Sequence, residues 1–162
     1  MIRKTSIFLL LLFGLGSFAS HAVEAALPPG NSVQQWNKIS EDTVIGSGAF
    51  QNEGLIYMAY VSVAVDDAVV AIEGRYEPYG TASDALPGAS LDAAVVEAAY
   101  HTLRNYFPSQ AATLDLLHTE ELALIPDGLS KEDGKAVGVA AADGIIALRT
   151  GDGRMTPIGL GY

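Results

Sequence analysis

Two prolines dictate the layout of this chain. Between Ser90 and Gly153 the sequence is compatible with helix except at Phe107-Pro108-Ser109 and at Ile125-Pro126-Asp127-Gly128. A proline lacks the amide donor and its ring clashes with the preceding turn, so a helix is expected to stop at each point. The stretch divides into three helices. In the first, capped by Ser90, Leu91, Val95, Ala99 and Leu103 make one stripe that Tyr106 and Phe107 close. In the second, starting at Ser109, Leu114, His118, Leu122 and Ile125 share a face, flanked by Leu117 and Leu124. In the third, Ser130 and Asp133 have capping-box spacing, and Val137, Ala141, Ile145 and Leu148 line one side. Gly134, Gly138 and Ala142 recur four apart along it. Interior glycines cost roughly 1 kcal/mol each against Ala; spaced like this, they make a smooth groove into which another helix can press.

Two further helices precede these. Ser32, with Gln35 three residues later, has capping-box spacing and opens a pattern of Trp36, Ile39 and Thr43 that ends at Gly46 and Gly48. From Glu53 to Ile72 nearly every residue is apolar or small, apart from Ser62, Asp66 and Asp67. Its β-branched valines admit a buried strand, but a run of this length favours a helix, since strands span about 3–10 residues. Being apolar on almost all sides, the Leu55–Ile72 helix is expected at the centre of the fold. Residues 73–88, with Pro78, Gly80, Pro87 and Gly88, are a loop pinned by Tyr76 and Tyr79 with their hydroxyls outward. The tail from Gly151 is turn-rich. The expectation is all-α, about five helices.

The first 25 residues stand apart. Arg3 and Lys4 precede an apolar run from Ile7 to Phe18 and small residues at Ala19, Ser20 and Ala22. This is the pattern of a secretory signal peptide, with cleavage after Ala22 or Ala25; an apolar core of about a dozen residues is short for a spanning helix, which needs about 20. Residues 26–31 form a Pro/Gly linker. Cleavage after Ala25 removes Arg3, Lys4 and Glu24 and moves the net charge from −10 to −11. So acidic a chain repels phosphate backbones and anionic lipid, which argues against a nucleic-acid partner and, after signal cleavage, a membrane. It has no cysteines, so neither a disulfide, a thiolate metal site nor a cysteine nucleophile is available.

Chemistry-bearing residues are few. Of three histidines, His21 lies in the leader, and His101 and His118 lack the i, i+4 pairing of a helix-borne zinc motif. A His-rich zinc site is excluded and a mixed His/carboxylate site is the alternative, but both histidines are read as packed or partly exposed helix residues with hydrogen bonds. Asp66 and Asp67 point about 100° apart on a helix and cannot form one carboxylate dyad; one is expected to face the core and the other solvent, with a helix-to-helix hydrogen bond or salt bridge preferred to a ligand or acid/base role. Gly46-Ser47-Gly48 lacks the rest of a dinucleotide fingerprint, and there is neither a Walker sequence nor a GxSxG elbow.

Several segments nevertheless resemble one family in order and spacing. They are WNKISEDTV (Trp36–Val44), VSVAVDDAVVAI (Val61–Ile72), ASLDAAVVEAAYHTL (Ala89–Leu103), and the sequence from Ala98 to Gly153 with FPSQA, IPDG-x-x-K-x-x-G and R-x-x-DG. Together, over residues 32–153, they resemble the N-terminal helical region of bacterial- and plant-type vanadium-dependent haloperoxidase-related proteins. That family shares a superfamily with type-2 phosphatidic acid phosphatases. Asp67 and His101 match family positions; Ser62 and Asp66 replace the family's His and Tyr. The resemblance implies a parent chemistry of peroxide-dependent halide oxidation at bound vanadate, or phosphoester hydrolysis in the same pocket. The family's Lys and Arg-Pro, Ser-Gly-His and Arg/His motifs are not present.

The expectation is therefore a secreted, truncated or degenerate member, with a helical domain at 32–153 and a tail at 154–162. It has no assigned catalytic, cofactor-binding or metal residue, vanadate being expected only in a full-length relative. It is expected to be inactive alone and to meet a second copy or a hydrophobic partner through bare faces of its second and fifth helices. The alternative is a stand-alone secreted helical interaction module.

Overall fold

The computed structural model describes residues 31–49, 51–80, 87–154, 156, 157 and 159; the proposed leader and most of the linker lie outside these. The described residues form five α-helices and no strand: α1 (Ser32–Gly46), α2 (Gln51–Glu73), α3 (Leu91–Tyr106), α4 (Ala111–Ala123) and α5 (Leu129–Arg149). Pro108 opens a short 3-10 turn, Pro108–Gln110, that leads into α4.

The central helix is α3, not α2: α3 packs against α1, α2, α4 and α5. Hydropathy pointed elsewhere because α2 is the more apolar helix. What selects the centre is size. Ala93, Ala94, Ala98 and Ala99 are fully buried, and such small side chains let neighbours approach from several sides. α2 buries Tyr60, Val61, Ala64, Val65, Ala68 and Val70 but leaves Leu55 65 % exposed. By length and composition α2 could also cross a membrane; here it packs on α1, α3 and α5.

The glycine groove on α5 is real. A Cβ at Gly134 would lie 2.3 Å from the Ser90 carbonyl oxygen, and one at Gly138 equally close to that of Ala94. Backbone meets backbone there, so only glycine fits. Val137, Ala141 and Ile145 are buried beside it, while Leu148, expected on that face, is 51 % exposed near the helix end. On α4 only Leu114 is fully buried; Leu122, and Ile125 just beyond the helix end, pack against the core from its edge, and the C-cap residue Leu124 is exposed.

Two caps differ from the sequence expectation. Asn31, not Ser32, caps α1, its side chain accepting from the Gln34 amide. Ser32 Oγ instead donates to Asp92 Oδ1 at 2.7 Å, and Gln35 donates to Glu121. At α5 the cap position is Gly128, without a side-chain bond, and Ser130 Oγ donates to the Gly88 carbonyl at 2.7 Å. In both cases a tertiary partner takes a hydroxyl that local spacing assigned to a cap. Ser90 caps α3 as expected. Trp36 on α1 is wholly buried, and among the described residues its Nε1 has no hydrogen-bond partner.

Candidate functional site

The adjacent aspartates divide as their 100° separation requires. Asp66 is exposed, and Asp67 is buried. Asp67 accepts the backbone N–H of Tyr79 at 2.6 Å and of Gly80 at 2.9 Å. It ties α2 to the loop that Gly74 begins with a φ of 63°. The structural reading holds in kind, but the partner is a loop backbone and not another helix. Tyr79, 60 % exposed, has its hydroxyl engaged by Arg149 Nη2 at 3.0 Å.

His101 and His118 converge on one residue that the sequence reading did not single out. Glu97 on α3 is only 3 % exposed. His101 Nε2, one turn further along α3, lies 3.2 Å from its Oε2, and His118 Nε2, from α4, lies 3.0 Å from the same oxygen. Among the described residues His118 Nε2 has no aligned hydrogen-bond partner, so its approach to Glu97 is a close contact more than a directed bond. Burial, the largest influence, pushes the Glu97 carboxyl up; the contacts and charges of His101 and His118 together outweigh it and bring the group down to about 2.

The same seam continues outward. Tyr100 stacks on His118 at 3.9 Å between ring centroids and donates to Asp115 Oδ1 at 2.8 Å, which also accepts from Arg104 Nε at 2.8 Å. The Arg104 contact, then Tyr100, holds the Asp115 carboxyl below its ordinary value. Glu97, Tyr100, His101 and Arg104 thus form a polar stripe at helical spacing on α3 that docks α4. A carboxylate with two imidazoles could relay a proton. Neither histidine, however, lines the cavity at the C-terminal ends of α3 and α5 or the three smaller ones along α1 and α2. Among the described residues no group of three or more His, Cys, Asp or Glu is arranged to hold a metal ion.

A second assembly lies at the C-terminal ends of α3 and α5. The chain turns back after Arg149, and Arg154 reaches a cluster of tyrosines. Its guanidinium carbon is 4.7 Å from the ring centre of Tyr57 and 5.6 Å from those of Tyr60 and Tyr106. Arg149 lies 5.4 Å from the Tyr60 ring centre. Both arginines line a cavity of about 640 Å³ with Asn105, Tyr106, Ile146 and Asp152. No Lys/Arg cluster is visible in the sequence; the fold brings together two arginines that sit five residues apart. The signal that could have found them is the R-x-x-DGR run facing tyrosines that recur in α2.

On α2 and α1, an apolar groove of about 320 Å³ runs between Ile45, Ala49, Leu55 and Met58. No protein-family model, curated protein or solved structure matches the chain.

Proposed function

We propose that this chain is a secreted helical scaffold related to vanadium-dependent haloperoxidases and type-2 phosphatidic acid phosphatases, without peroxidase or phosphatase chemistry in the residues present. The observation that carries the reading is the separation of its imidazoles from its arginines. His101 and His118 are spent on Glu97 between α3 and α4. Arg149 and Arg154 line a cavity that has neither histidine nor lysine on its walls. Chemistry on a bound vanadate or phosphate needs cationic donors and an acid–base or nucleophilic group on one oxyanion. The relationship itself rests on the sequence resemblance alone; the helix breaks at Pro108 and at the Pro126–Gly128 turn are what proline imposes on any helical chain.

The test incubates the purified chain with orthovanadate, peroxide and bromide in a dye-bromination assay, and separately with p-nitrophenyl phosphate. Rates at the buffer level are expected in both. Turnover that survives metal stripping and repurification, and that falls on His118→Ala, would overturn the proposal.

The interaction-module reading keeps one observation in its favour. Ile45 and Leu55, 69 % and 65 % exposed, flank the apolar groove between α1 and α2. Sedimentation velocity distinguishes the readings: concentration-dependent association lost on Leu55→Glu favours the module, and a monomer at all concentrations removes the support for self-association. Secretion is checked by N-terminal sequencing, which should find a start after Ala22 or Ala25.

A further inference from the structure

We infer that the cavity between the C-terminal ends of α3 and α5 binds a small organic monocarboxylate, its head group on Arg149 and Arg154 and its body against Tyr106 and Ile146. This goes beyond the scaffold reading and does not depend on it.

The first support is a pair of arginines without carboxylate partners. The chain carries 19 acidic residues against 9 basic ones, yet among the described residues neither Arg149 nor Arg154 forms a salt bridge. Arg149 Nη2 donates to the Tyr79 hydroxyl at 3.0 Å, but among the described residues Arg149 Nε and Arg154 Nε and Nη1 have no hydrogen-bond acceptor. Ring contacts stabilise a guanidinium's charge but leave its in-plane N–H donors unspent. Buried charged donors without acceptors are costly, and a planar oxyanion is the acceptor that a guanidinium fork fits.

The second support is that the nearby carboxylate is turned elsewhere. Asp152 lines the same cavity, but its Oδ1 accepts the Arg154 backbone N–H at 2.9 Å and its Oδ2 the Tyr60 hydroxyl at 3.3 Å. It braces the turn without neutralising either guanidinium through a direct pair.

Charge selects the ligand. Two arginines and one aspartate leave a local balance of one positive charge, which a monoanion completes and a dianion exceeds. That favours a carboxylate over a phosphate. Size selects a body beyond the head group: about 640 Å³ is within the range of small-molecule sites and far exceeds a bare carboxylate. Tyr106 and Ile146 supply an apolar wall for it, and the Asn105 amide a polar edge.

The experiment is a titration of the purified, isotopically labelled chain with benzoate, acetate and inorganic phosphate at constant ionic strength, read by amide NMR shifts. Benzoate should give saturable shifts confined to residues around 105–106 and 146–154, with a Kd on the order of 1 mM or tighter. Acetate should bind more weakly for want of a body, and phosphate more weakly than benzoate. Arg154→Lys keeps the charge but loses the fork, and Arg149→Gln removes the second head-group contact. Each should weaken benzoate by about tenfold or more. Because Arg154 also holds three rings, Arg149→Gln, which leaves those contacts in place, decides the matter should Arg154→Lys unfold. Absence of saturation, tighter phosphate than benzoate, or unchanged benzoate affinity in folded Arg149→Gln would each overturn the inference.

Discussion

Replacing Glu97 by Gln removes a buried charge while keeping the side chain's shape, and so isolates the contact that docks α4 on α3. Glu97 is 3 % exposed, and its carboxyl is lowered from 4.5 to about 2. A carboxyl depressed on folding contributes stability above its unfolded pKa, and that contribution disappears as pH falls through the folded value. The window therefore runs from about pH 4.5 down to about pH 2. A depression of roughly 2.5 units at about 1.4 kcal/mol per unit gives about 3 kcal/mol as a ceiling, since the carboxyl and the two imidazoles titrate as a coupled set. Urea unfolding followed by far-ultraviolet circular dichroism, between about pH 7 and pH 2, measures it. Wild type should lose up to about 3 kcal/mol more than Glu97→Gln across the window, other carboxylates being common to both. Removing both histidines should invert the sign. Burial alone raises the carboxyl, so in His101→Ala/His118→Ala acidification from neutral pH should stabilise the protein relative to the same variant carrying Glu97→Gln. Parallel curves for wild type and Glu97→Gln would refute the pairing argument.

Gly138→Ala should destabilise the protein by about 2 kcal/mol or more, although alanine favours helix by roughly 1 kcal/mol, because the new Cβ would lie 2.3 Å from the Ala94 carbonyl oxygen; thermal unfolding reads the sign. Asp67→Ala should cost about 1–3 kcal/mol by orphaning the amides of Tyr79 and Gly80, and hydrogen exchange should accelerate at those two residues before it does in α2.

Helix number and most boundaries were legible in the sequence because prolines, glycines and apolar spacing act locally. A close helix approach on α5 was legible too, since Gly134 and Gly138 declare it in their own spacing, but that α3 is the helix that presses there was not. The identity of the central helix was not. Hydropathy favoured α2, whereas centrality depends on which helix is thin enough to be surrounded, and the alanines of α3 make it so. Of the polar sites, the division of Asp66 from Asp67 followed from helix geometry, but the loop amides that hold Asp67 could not be named. The Glu97 centre was hidden for a different reason. Glu97 and His101 are one turn apart, but His118 joins them only once α4 has folded back across the turn at Pro108. Arg149 and Arg154 meet the tyrosines of α2 through a chain reversal that no periodicity announces.

The position of α3 has a consequence in time. Its closest companion, α5, is the last of the five helices to be synthesised, and α4 lies between them in the chain. A chain emerging N-terminus first presents the Ser90–Ala94 ridge uncovered until residues beyond Gly138 follow, an interval of several seconds at about 5–20 residues per second. During that interval two helices, and then three, surround a hub whose main cover is still missing. The fold closes only when the α5 glycines arrive to seal it.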